Sequence, residues 1–271
     1  MKKLFTVIRQ GKLDEVTRIL DKNPDLISCL AVAPPKKDDG QSPLMVAIKS
    51  DNVEVAHLLL DRGADVNFQD EPTQPHNESV PIWYLAVGQC FMRAGDHVSV
   101  PNKERSRQYF LLLRRLLDMG MDPNQKATSD FRTFNAWEFA LTQYDYFAHD
   151  SYPSYYVEET KIQNRQLREM LKAVLDELLK HRVDIHDFEF PEQFRTNTAV
   201  ILHNLEKGRP LFEGFRCLDP DDDMFKPRTV VRRGKEEIVQ PYYSVEDYRQ
   251  MLEIKWGELE PVLRAYYRQA Q

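Results

Sequence analysis

The sequence is short of cysteine and glycine and has no surplus of positive charge, and each shortage closes off a class of protein. Three cysteines in 271 residues, Cys29, Cys90 and Cys217, are too few and too scattered for a disulfide framework or a Cys-x-x-Cys metal site. A reducing compartment follows as the expectation. Ten glycines leave little room for a glycine-rich phosphate loop or a turn-dense all-β fold. With 43 acidic against 37 basic residues, the net charge of −6 argues against nucleic-acid binding, which needs a basic excess. It suits a chain that repels its own copies and stays monomeric. The apolar run after Lys3 stops at Arg9, too short for a secretory signal, and no stretch approaches the roughly 18 apolar residues of a membrane span. The expectation is a cytoplasmic protein with no membrane and no nucleic-acid partner.

What the chain does contain is self-similarity. Leu58 to Asn67 reads LLLDRGADVN, Leu116 to Asn124 reads LLDMGMDPN, and Leu178 to His186 reads LLKHRVDIH, with a fainter echo at Ile19 to Leu26. Each follows an amphipathic stretch, so each is read as a helix end running into a loop. Gly63 and Gly120 stand where a left-handed C-terminal cap is wanted, and Asn23 is expected to do the same; Arg182 is a departure. A second motif opens the helices. Asp39 to Ala47 combines a turn, a Ser42 N-cap and Pro43 at the first helical position, with weaker copies at Val80–Ala86 and Phe134–Ala140. Trp83 and Trp137 hold equivalent places in these copies and are read as core at the seam between repeats.

These residues resemble the ankyrin repeat, whose pattern is a Gly-x-Thr-Pro-Leu-His turn and short helix, then a longer helix ending Leu-Leu-Leu-x-x-Gly-Ala-Asp-Val-Asn. Residues 39–67 match it closely, with Ser42 for Thr and Met45 for His. The resemblance covers about residues 1–190, as repeats near 1–38, 39–70, 78–127 and 131–188. Asp25, Asp65, Asp122 and Asp184 are spaced by 40, 57 and 62 residues, wider than the family period of about 33. The excess is assigned to insertions at Cys29–Asp38, Glu71–Ser79 with Phe91–Glu104, and Tyr144–Glu159. The fold expected is all-α: a solenoid of about four helix pairs, with residues 191–271 as a C-terminal helical cap. In that region a helix is expected over Glu192–Glu206, and a hairpin over 229–239 pairing Arg232 with Glu237 and Val231 with Ile238. A last helix opens at Ser244 with Asp247 as capping partner, interrupted at Gly257 and Pro261.

The resemblance implies a scaffold that binds a protein partner without catalysis or cofactor. Carried over position by position, its finger residues are Lys37, Asp38 and Gln41 in the second repeat, Glu71, Thr73, Gln74 and Asn77 in the third, and Lys126, Thr128, Ser129 and Arg132 in the fourth. The exposed inner-helix ends are Lys49, Ser50, Gln89, Thr142 and Gln143. The aromatic insertion Tyr144 to Tyr156 adds Tyr152, Tyr155 and Tyr156, either as a recognition loop or as a flap folded over the repeats.

Two other classes are weighed. An enzyme would place its chemistry in 191–271, but no His-Glu-x-x-His, Gly-x-Ser-x-Gly or Walker A pattern occurs, and a Cys217–His203 pair is better read as an ordinary thiol near a packed helix. A metal-binding regulator would use His181, Asp184, His186 and Asp187, yet these coincide with a repeat's helix exit, which favours a structural role.

Overall fold

The computed structural model describes residues 1–70, 79–94, 103–129, 132–148, 157–188, 196–215, 218–232, 235–241 and 244–269. It is mostly helical, with eleven helices and two small antiparallel strand pairs among these residues. Packing divides the chain into two compact units, Met1–Phe147 with Glu169–Glu189, and Ala148–Arg168 with Phe190–Gln271.

The first unit begins with four helices in two pairs, α1 (Lys2–Arg9) with α2 (Leu13–Lys22) and α3 (Pro43–Lys49) with α4 (Val53–Asp61). A third pair follows, α5 (Ile82–Ala94) with α6 (Lys103–Asp118), then α7 (Ala136–Phe147) and, from Glu169 on, the later part of α8 (Val157–Lys180). The first helix of each pair packs on the first of the next, α1 on α3, α3 on α5 and α5 on α7; α2 meets α4 and α4 meets α6 in the same way. Helix α3 is apolar nearly all round: Leu44, Met45, Val46, Ala47 and Ile48 are all fully buried. A helix with neighbours on several sides needs that composition. Helix α3 starts as its sequence indicates, with Pro43 in the first turn and Ser42 Oγ accepting from the Met45 amide at 3.3 Å.

Helix α5 runs through Ala94 with Phe91 fully buried. Phe91 therefore belongs to the core and not to the insertion read from the sequence. The strand content is also larger than expected, because β1 (Ala127–Ser129) and β2 (Arg132–Phe134) pair antiparallel ahead of α7. Trp83 and Trp137 are buried, and Trp83 donates through Nε1 to the Gln125 carbonyl at 2.9 Å. Around Trp83, Tyr84 stacks on Phe139 at 4.2 Å between ring centres, and Phe134 stacks on Phe139 at 5.6 Å. This aromatic group joins α5, β2 and α7.

The second unit contains α9 (Asn197–Glu206), a hairpin of β3 (Arg228–Arg232) and β4 (Lys235–Val239), then α10 (Val245–Trp256) and α11 (Glu260–Gln269). Helix α9 opens at a Thr196 cap, later than Glu192; residues 189–195 lie outside the described set. It packs against α11. The hairpin register differs from the expected one by two residues: Arg232 faces Lys235 and Val231 faces Glu236. The pairing runs to Arg232 and Lys235, so two residues connect the strands where four were expected. Ser244 and Asp247 form the capping box ahead of α10, and the last helical stretch is divided at Gly257 as expected.

Candidate recognition surface

The loops that leave α4, α6 and α8 share one geometry. Gly63 and Gly120 have φ of +79° and +92°. Their amides bond back three residues, to Leu60 and Leu117, and the next amides bond back five, from Ala64 to Leu59 and Met121 to Leu116. This is the Schellman closure, and the residue after the glycine is buried as that closure favours. Arg182 adopts the same conformation at φ +61°, with Val183 bonded back to Leu178, so the missing glycine does not alter the loop. Asn23 does not: its φ is −143°. That helix ends instead in a 3-10 turn over Pro24–Ser28, with Pro24 in its first turn.

After each turn comes an aspartate whose Oδ1 accepts from the amide two residues on: Asp65 from Asn67, Asp122 from Asn124 and Asp184 from His186, each at 2.9 Å. The asparagines then reach forward. Asn67 donates through Nδ2 to the Gly120 carbonyl at 3.0 Å and accepts from the Asp122 amide at 2.8 Å. Asn124 does the same to Arg182 and Asp184, at 3.1 and 2.7 Å. Each of these two asparagines thus holds the loop of the following helix pair. Sequence reading missed this relay, although its signal, an Asp-x-Asn tripeptide at both loop exits, was present at 65–67 and 122–124.

The finger segments that precede the first helices are joined as well. Ala31 donates to the Gln41 carbonyl and accepts from the Gly40 amide, both at 2.9 Å. Gln69 bridges to Pro81 and Ser79 to Thr128; Gln69 Nε2 also donates to the Lys126 carbonyl at 2.9 Å.

The candidate contact residues fall into four groups. Thr128 is exposed, and Lys49, Ser50, Lys126, Arg132, Thr142 and Gln143 are half-buried. Several of these already have partners in the fold: Lys126 pairs with Asp187 at 2.7 Å, Arg132 pairs with buried Glu138, and Thr142 donates to the Glu138 carbonyl at 3.0 Å. Lys37 lies in the 3-10 turn Lys36–Asp38 and Ser129 in β1.

Asp38, Gln41 and Gln89 are buried. Asp38 accepts from Arg9 at 2.8 Å and lies 3.7 Å from Lys49 Nζ. Gln41 accepts from Lys49 at 3.2 Å, and Gln89 donates to the Ile48 carbonyl at 3.3 Å. These three brace the fold from within, so the reading of them as exposed contacts is corrected: short polar side chains at those positions are consumed by neighbouring backbone and charges. Glu71, Thr73, Gln74, Asn77, Tyr152, Tyr155 and Tyr156 lie outside the described residues, as does Cys217.

Titratable chemistry elsewhere is confined. Cys90 is fully buried, and burial pushes its thiol well above the ordinary range, which suppresses the nucleophilic thiolate. In the second unit, a groove of about 570 Å³ is lined by Leu205, Glu206, Pro261, Arg264 and Tyr267. Its Arg264 is held by Glu260 at 2.7 Å and by the Arg209 carbonyl at 2.6 Å. The four groups His181, Asp184, His186 and Asp187 are not gathered: Asp184 is committed to the His186 amide and Asp187 to Lys126. No helix among the described residues is long and apolar enough to cross a membrane.

The ankyrin-repeat family model matches residues 39–71, the segment holding the Ser42 cap, α3, α4 and the Gly63 loop. No curated protein matches the sequence. Ankyrin repeats are in general protein–protein interaction modules and typically have no enzymatic activity of their own. With its capped helix pair and left-handed glycine in place, the matched segment 39–71 is an ankyrin repeat, the one repeat that the family comparison detects.

Proposed function

We propose that this protein is a non-catalytic recognition scaffold. In this reading residues 1–190 stack as a solenoid of four helix pairs and bind a protein partner through their fingers and first-helix ends. The observation that carries the reading is the asparagine relay. It fixes the loop after α4 to that after α6, and that after α6 to that after α8, by paired hydrogen bonds, so the side chains between them are presented at set spacing and little ordering entropy is lost on binding. Residues 191–271 are assigned no catalytic role. Few cysteines and a net charge of −6 support a monomer working in the cytoplasm.

The test exploits exposure. Lys49 and Gln89 are poor positions for it, because Lys49→Glu would place a second carboxylate beside buried Asp38, and Gln89→Glu would bury a charge. Thr128→Arg with Gln143→Arg alters the accessible finger and helix end instead. Affinity capture from native lysate should recover a protein with the wild type and lose it with this variant, at unchanged helicity by circular dichroism. Equal recovery by both, or no specific recovery by the wild type, refutes the assigned surface.

A further inference from the structure

Away from the finger surface, three metal-ligating side chains converge between two helices of the first unit. Glu177 is in the last turn of α8 and His181 directly follows that helix, its amide still bonded to the Glu177 carbonyl at 3.3 Å, which puts the two side chains one turn apart on the same side; Asp118 is the last residue of α6. Each offers a ligand atom, and these atoms lie within 4.8 Å of one another. His181 Nε2 stands 3.4 Å from Asp118 Oδ1 and 3.6 Å from Glu177 Oε1. A direct hydrogen bond from a charged imidazole to a carboxylate closes to about 2.7–2.9 Å, so these separations are long for ion pairs. They match the edges of a tetrahedron around one ion, which are about 3.4 Å for bonds near 2.1 Å.

The surroundings fit the same geometry. Glu177 is buried, and Lys180 Nζ holds its other oxygen, Oε2, at 2.9 Å. That leaves Oε1 directed at the centre, the kind of outer contact that orients a ligating carboxylate. Arg114 Nε lies 3.8 Å from Oε1, beyond hydrogen-bond reach, on a side chain more than half exposed that can turn into solvent. Asp118 and His181 are accessible, so an ion has an entry path. One imidazole nitrogen among two carboxylate oxygens is a zinc-type donor set, whereas calcium and magnesium take oxygen alone.

We propose that Asp118, Glu177 and His181 form a three-ligand zinc-class site, with water as the fourth ligand, that ties the end of α6 to α8. The ion binds the folded chain across two helices that the unfolded chain separates, so it raises the stability of this unit in proportion to its occupancy.

The experiment titrates chelator-stripped full-length protein with Zn²⁺ by calorimetry and with Co²⁺ by visible absorption. The expected result is one equivalent per chain, a four-coordinate Co²⁺ spectrum and a rise in Tm with Zn²⁺. His181→Ala and the isosteric Asp118→Asn should each weaken binding more than about tenfold and abolish the Tm rise, at unchanged helicity. His186→Ala with Asp187→Asn should leave binding unaltered. The proposal is overturned if the wild type binds no stoichiometric ion, if His181→Ala and Asp118→Asn bind as the wild type does, or if the His186/Asp187 variant is the one that loses it.

Discussion

At the scale of single residues, the loops depend on backbone more than on side chains. A Cβ added at Gly63 meets no atom within 4 Å, yet its φ of +79° is one that β-branched residues resist. Gly63→Val should therefore cost about 1–2 kcal/mol, while Gly63→Asn recovers most of it, because asparagine tolerates the left-handed region. Urea denaturation checks both, and a neutral valine would exclude the assigned geometry. His57 offers a second test. Burial, and then Arg115, whose Nη1 lies 3.0 Å from Nδ1, hold its pKa below the ordinary value. The unfolded chain, titrating near about 6.5, binds the proton more readily than the fold does. Stability is thus complete above that pH and declines as pH falls from there toward the lowered folded value. His57→Gln should flatten this window in denaturation curves compared at pH 7.5 and 5.5; an unchanged slope would mean the imidazole is not responsible.

At the scale of elements, what could be read from the sequence was whatever repeats locally. The Ser42-Pro43 start, the Gly63 and Gly120 ends and the Ser244–Asp247 box are short-range chemistry, and all three appear in the structure. The hairpin register was not legible, since the parity of apolar and polar residues over 228–239 is the same for a two- and a four-residue connection. Arg182 misled in the opposite direction: neighbouring contacts impose a conformation that its own propensity does not favour. For the candidate surface, residue type identified polar positions but not their exposure. Asp38 and Gln41 are buried and engaged by Arg9 of α1 and Lys49 of α3, contacts that residue type alone does not reveal. The relay itself predicts a directional effect. Asn67→Ala should cost about 1 kcal/mol, the net worth of exposed hydrogen bonds. It should also speed amide exchange at Asp122 and not at Asp184; Asn124→Ala should do the reverse. Exchange measured residue by residue by NMR separates this from general loosening, which would raise both rates in either variant.

At the scale of the whole molecule, the sequence suggests one boundary near residue 190, and packing assigns two stretches of the chain to each unit. Residues 148–168 go with the C-terminal unit and 169–189 with the first, so the division passes through α8. The two sides of that division have different supports. Arg168 is buried and donates to the Ile254 carbonyl at 3.3 Å while pairing with Glu258 at 3.0 Å, both within the second unit. On the other side, Leu171, Val174, Leu175 and Leu178 are fully buried in a stretch grouped with the first unit. A fragment of residues 1–189 therefore keeps what holds 169–180 and loses what holds 157–168. An isolated helical segment of about 12 residues is marginal in water, so the amino-terminal half of α8 should fray in this fragment. Hydrogen exchange followed by mass spectrometry should show residues 157–168 exchanging near the unprotected rate, with Leu171–Leu178 protected as in the full chain. Protection retained over 157–168 would mean that the first unit supports the entire helix and that the boundary lies beyond it.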